Sequence, residues 1–261
     1  MPPTSAEGRA ASEASVISPA AGAAYSSRVS STTAVRTAAA LLAGSLVAWI
    51  VLVDQMRGMD AGPGMDLGSL GWYLGVWVTM TAAMMLPSVA PTVLAYTQVS
   101  RRAPAGTSFF LAGYLVAWTA YGLVAYAIYR ALRAAAPAFL GWDSGGRYLA
   151  GAALAAAGLY ELTPLKSLCL RHCRVPLHFV LAGWRPGRLG AARMGAEHGA
   201  YCVGCCFGLM LVLFVLGLMS IALMAVVAAV VFTEKVLPVG DRLPRVVAAA
   251  CVVAGLGLAI A

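Results

Sequence analysis

Between Ala200 and Phe232 the chain carries no charged residue, a run no ordinary soluble core needs and one more than long enough to cross a bilayer. Further apolar runs lie at Thr37 to Val53, at about 70–96, 109–131 and 148–164, and from Val246 to Ala261. At 1.5 Å per residue, helices over such runs cover a hydrocarbon core of about 30 Å. Charged residues are only 11% of the chain against 61% hydrophobic, and they sit in short stretches between the runs. A soluble domain needs charge over most of its surface, so that class is excluded, together with disordered, collagenous and disulfide-scaffold proteins.

As one helix, the run from Ala200 to Phe232 overshoots the membrane, and the spacing predicts a break near Gly217 to Ser220. The cytoplasmic side of a membrane protein collects Lys and Arg. With the break, seven spans and the N-terminus inside, 14 of the 18 Lys and Arg fall on the cytoplasmic face. Without it, six spans leave 11 there, because Lys235, Arg242 and Arg245 move outward. The expectation is an all-α polytopic transmembrane helix bundle of seven spans, with six as the alternative. The net charge of +8 then records orientation in the membrane and gives no reason to expect nucleic acid as a partner.

Residues 1–34 are rich in Ala, Ser and Thr without apolar periodicity, which predicts a disordered tail. The first apolar run leads into Asp54, Gln55 and Met56 instead of a small-residue cleavage site, so it reads as an uncleaved span. Residues 35–261 form the membrane domain. It is interrupted by a polar segment, a cytoplasmic Cys/His loop at about 165–198.

That segment concentrates the chemistry. All three histidines (His172, His178, His198) and five of the six cysteines (Cys169, Cys173, Cys202, Cys205, Cys206) fall within 38 residues. A cytoplasmic face keeps thiols reduced, which favours metal or redox chemistry over structural disulfides. If the segment from Met194 to Phe207 is helical, a 100° step places Met194, His198, Cys202 and Cys205 on one stripe, with Cys206 at its margin. Thioether, imidazole and thiolates are soft donors that favour Cu(I), Zn(II) or an Fe-S cluster, and Cys169, His172 and Cys173 are the natural completion from across the loop. Buried cysteine also packs as a small hydrophobe, and Cys251, alone in the last span, reads that way.

Methionine forms a second concentration: Met56, Met59, Met65, Met80, Met84 and Met85 are six of the 11 within 30 residues. Gly58-Met59-Asp60 and Gly64-Met65-Asp66 in the outer loop suggest weak collection of a soft cation, and Met80 with Met84 and Met85 a path inward. The same thioethers also fill gaps between helices. Pro87 and Pro91 are expected to break the second span towards its cytoplasmic end and free carbonyls that something must satisfy, with a simple helix kink as the alternative. Glu161, near a span end, is a candidate ligand because intramembrane acids are expensive; its bland partner would be Lys166.

These residues carry a resemblance. The chain resembles the bacterial predicted metal-binding integral membrane proteins, a domain of unknown function also labelled copper chaperone, from about Trp49 to the C-terminus. The likeness rests on Trp77, Met80 and Met84-Met85-Leu86-Pro87-Ser88, and on Ala112-Gly113-Tyr114-Leu115 with Trp118. It continues through Tyr160-Glu161-Leu162-Thr163-Pro164-Leu165-Lys166 into Cys169-Leu170-Arg171-His172-Cys173-Arg174. Gly199, Cys202-Val203-Gly204-Cys205-Cys206, Met210 and Glu234-Lys235 complete it, with Phe207 standing where the family is expected to have Trp. The resemblance implies a bacterial inner-membrane protein that binds copper.

The leading expectation is therefore a non-enzymatic protein that holds a soft metal at the Cys/His cluster for transport or delivery. Its partners are the lipid bilayer, the metal ion, and a metallochaperone or metalloenzyme-maturation protein. The alternatives are a thiol-disulfide oxidoreductase using Cys202 with Cys205 or Cys169 with Cys173, and a small-molecule carrier with structural cysteines. No Walker loop is present, so any transport is driven by gradients or by a partner.

Overall fold

The computed structural model describes residues 31–57, 67–100, 105–135, 145–216, 220–237 and 242–260. Among these the chain forms nine helices and no strand. They are α1 (Ser31–Gln55), α2 (Leu70–Val99), α3 (Ala105–Ala135), α4 (Arg147–Glu161), α5 (Pro164–Arg174), α6 (Pro176–Ala182), α7 (Gly187–Leu216), α8 (Ile221–Val236) and α9 (Arg242–Ile260). Five of them, α1, α2, α3, α7 and α9, are long and apolar enough to cross a membrane. Their outer faces carry Leu46 and Ile50 on α1, Val116 and Ile128 on α3, and Val253 and Leu256 on α9, all exposed as lipid-facing side chains must be.

The two remaining predicted spans come out short. α4 has 15 residues and α8 has 16, which at 1.5 Å each is about 22–24 Å, less than a full hydrocarbon core. The predicted break in the long run lies where the helices part: α7 ends at Leu216, and α8 begins at Ile221 with Ser220 accepting from the Leu223 N–H. Of the predicted tail, residues 1–34, the first 30 lie outside the described set, and the last four are the start of α1. The outer Met/Asp loop also lies outside it.

Two expectations need correction. The polar segment at 165–198 is not a loop; it folds as α5, α6 and the first turns of α7. Thr163 caps α5, accepting from the Lys166 N–H at 3.3 Å, and Pro164 enters at the first helical position, where its missing N–H costs nothing. Pro176 likewise enters α6 at its first position, behind Val175, which gives no side-chain cap. Polar composition hid these signals.

The prolines of α2 also do not break it, since the helix continues from Leu70 to Val99 with Pro87 and Pro91 inside. Pro87 has no N–H to give to the carbonyl four residues earlier, that of Ala83. The buried Ser45 hydroxyl of α1 donates to that oxygen instead, at 2.7 Å.

α2 runs through the centre of the bundle, packed by α1, α3, α6 and α8, while α7 packs against α3, α5 and α4, and α9 lies along α4. Trp77 on α2 donates to the Trp118 carbonyl of α3 at 2.9 Å, and Tyr73 to that of Gly122 at 3.1 Å. The closest crossing is between α3 and α7. A Cβ at Gly113 would collide with the Ala192 carbonyl, and one at Gly195 with the Phe110 carbonyl. Small residues are what let backbones meet in a membrane, where no hydrophobic force drives helices together. Gly113→Leu and Gly195→Leu should each cost about 1–3 kcal/mol or more. Thermal unfolding in detergent checks this against Gly75→Leu, where a new Cβ meets nothing within 4 Å and stability should be unchanged.

Candidate metal centre

The predicted stripe on α7 exists and faces inward: Met194, His198, Cys202, Cys205 and Cys206 are all buried. α5 crosses this face and brings Cys169 and Cys173 to it. The approach is close because residue 204 is glycine; a Cβ there would stand 2.7 Å from the Cys169 sulfur. Cys173 Sγ lies 3.8 Å from Cys205 Sγ, and Cys205 Sγ lies 3.6 Å from Cys206 Sγ. Two thiolates about 2.3 Å from one tetrahedral ion stand about 3.8 Å apart, so these spacings suit sulfurs that share an ion. All six cysteines are free. Among the described residues no three His, Cys, Asp or Glu side chains are already arranged around a point where an ion would sit.

What faces these sulfurs is a cation of the protein itself. Lys235, buried at the end of α8, donates to Cys202 Sγ at 2.8 Å. Tyr114 of α3, fully buried, places its hydroxyl 2.9 Å from the same sulfur. Cys205, in contrast, turns its thiol to the Cys202 carbonyl at 3.2 Å. A buried ammonium is tolerated only beside a counter-charge, and the sulfur that accepts from it suits a thiolate. The arrangement thus marks Cys202 as the anionic cysteine and Cys205 as a thiol. On α5, burial pushes the Cys169 thiol up. Cys173 is also pushed up, first by the nearness of Cys202 and then by burial, against an opposing pull from Cys205, so both favour the neutral form.

His198, one turn before Cys202, is buried among the rings of Phe179, Tyr114 and Phe110, with centroids 5.0, 6.1 and 6.2 Å away. Its Nδ1 is buried without a hydrogen-bond partner. An imidazole nitrogen left in that state beside thiols is a donor in reserve.

A second buried polar group lies where α4, α5 and α8 meet. Lys166 pairs with Glu161 and reaches both carboxylate oxygens of Glu234, at 3.0 and 2.9 Å. All three side chains are at most 3% exposed. Arg174 Nε donates to the Glu234 carbonyl at 2.7 Å and ties α5 to α8 again. Glu161 is therefore held by Lys166, the partner the sequence offers for it.

The other predicted donors have contacts of a different kind. His172 is half-buried, stacked on Tyr201 with centroids 4.1 Å apart, and its Nδ1 lies 2.9 Å from the Leu168 carbonyl. Met80, Met84 and Met85 are buried in α2 within the same hydrophobic core as the cysteines, and Ser88 Oγ lies 3.8 Å from the Met85 sulfur. The residues sequence reasoning left without a role are Lys235 and Tyr114. The signal was available: Glu234-Lys235 ends an apolar run, and charge inside a membrane span is a site candidate by default.

A helical membrane protein with a buried cluster of free thiols against a lysine is the class that fold and site define. The chain belongs to the copper chaperone family PpoB2, whose pattern matches residues 74–258. Every motif stretch from Trp77 to Lys235 lies inside that match. No curated protein and no solved structure matches the chain.

Lys166→Met would leave two carboxylates buried without a cation, a loss of about 3–5 kcal/mol by the usual cost of breaking a buried pair. A large fall in the detergent unfolding temperature, next to near-wild-type behaviour of the amide variant Glu161→Gln, is the expected result.

Proposed function

We propose that this protein holds copper, as Cu(I), at the thiols of Cys173, Cys202, Cys205 and Cys206, with His198 as a further donor, and passes it to a partner. Copper is cargo in this reading. The observation that carries it is the row of sulfurs from Cys173 through Cys205 to Cys206, drawn from two helices and spaced 3.8 and 3.6 Å apart. Soft sulfur ligands favour Cu(I), and Zn(II) is the next candidate. The donors are close together but not arrayed around a centre, which suits an ion that must leave again. Cys169 lines the cluster from behind Gly204, whereas Glu161 and His172 are occupied elsewhere.

In this reading α4 and α8 complete a seven-span chain in a bacterial inner membrane with the N-terminus inside. Their limited length is met by neighbours: α4 is covered by α7 and α9, and α8 packs on α2 and α7. α5 and α6 then lie at the cytoplasmic face, where exposed Arg171, Arg188 and Arg193 fit the positive-inside bias. A soluble metallochaperone or an apo-metalloenzyme is the expected recipient.

Thiol-disulfide exchange is the second reading, supported by the Cys173–Cys205 pair. In it these two thiols give two protons and two electrons to a partner disulfide.

Purified protein loaded with Cu(I) and desalted should retain copper, and replacing Cys202, Cys205 and Cys206 together by Ser should weaken binding more than about 100-fold, the upper end of what losing one supporting hydrogen bond costs. Equal, negligible copper in both proteins defeats the reading. Mild oxidation by glutathione disulfide followed by mass mapping tests the alternative, which expects a Cys173–Cys205 bond in wild type.

A further inference from the structure

Lys235 is an unusual neighbour for a metal site, because a fixed positive charge in a dry cluster repels the ion that is to enter. Its position is not incidental. The Nζ lies 2.8 Å from Cys202 Sγ, the side chain is buried, and Cys205, Cys206 and Cys173 also lie within its electrostatic reach. It is held in place from behind: Glu234, the preceding residue, is fixed by Lys166 and, through its carbonyl, by Arg174. Both buried carboxylates of that group, Glu161 and Glu234, are paired with Lys166. Lys235 itself donates to the Cys202 sulfur.

We propose that Lys235 sets the valence of the ion the thiol cluster accepts, admitting a monovalent soft cation and excluding divalent ones. At any given point in the cluster the ammonium repels a divalent ion with twice the Coulomb energy it exerts on a monovalent ion. The low dielectric of the bundle magnifies that difference, and the sulfur donors are common to both ions. Zn(II) and Cu(I) both accept thiolates, so donor softness alone separates them poorly. A built-in charge separates them by discriminating against the wrong ion instead of improving contacts to the right one. The same charge also supports Cys202 as a thiolate before any ion arrives, so the cluster need not gather its first anion from scratch. This rests on the copper reading above and adds the basis of selection within it.

The test uses the full-length protein in detergent, equilibrated with Ag(I), a redox-inert monovalent soft ion, and Zn(II) together, with both ions counted after dialysis. Wild type and Lys235→Arg should carry Ag(I) in excess. In Lys235→Met and Lys235→Gln the Ag(I)-to-Zn(II) ratio should fall at least about tenfold, whatever happens to total binding, because one repelling charge has gone. The ions are counted on the folded monomer fraction from size exclusion, so that unfolded chains, whose exposed thiols take either ion, do not enter the ratio. A ratio unchanged in the neutral variants, or Zn(II) matching Ag(I) in wild type, overturns this inference and leaves thiol binding of metal standing. Wild type that carries neither ion overturns both.

Discussion

A charged side chain inside an apolar bundle must have its opposite beside it, and this requirement shapes the functional half of the molecule. Lys166 gathers Glu161 and Glu234 from two other helices, and Lys235 meets the sulfur of Cys202. The ends of α4, α5 and α8 come together because those groups cannot stay apart in a dry interior. Buried ionic groups of this kind contribute little net stability over well-packed apolar residues. Their value is in place and register. They seat the end of α8 so that two adjacent residues serve two different sites, one carboxylate turned to the Lys166 pairing and one ammonium turned to the thiols.

The rest of the bundle supplies the rigid frame. α3 and α7 approach until backbone nearly meets backbone at Gly113 and Gly195, which brings the Tyr114 hydroxyl to Cys202. Gly204 does the same for α5, admitting Cys169 against α7. Side-chain size thus decides where sulfur can sit. The chemistry belongs to cysteine and lysine, but their distances are set by glycine.

Much of this was legible in the sequence, for physical reasons that differ between elements. The long spans declared themselves because hydrocarbon tolerates nothing but apolar runs, and the break before Ile221 followed from the excess length of one of them. The Met194–Cys206 stripe was legible because a helix repeats every 3.6 residues. α5 and α6 were missed because α5 is as polar as a loop and α6 is only seven residues long, and only Thr163-Pro164 and Pro176 marked their starts. Pro87 misled because helix breaking is the rule in isolation, while the repair by Ser45 depends on a contact 38 residues away. Lys235 was visible but had no role until its neighbour across the bundle was known.

The Ser45–Ala83 hydrogen bond has a consequence for what counts as one unit of this protein. The family pattern starts at residue 74, and the carbonyl of Ala83 lies just inside it. The hydroxyl that satisfies that carbonyl comes from α1, outside the matched region. A chain cut to the recognised region would present a bare peptide oxygen to lipid at the proline step of its central helix. The stretch the family pattern covers is therefore smaller than the stretch that must be inserted together, and α1 acts as a seal supplied from outside it.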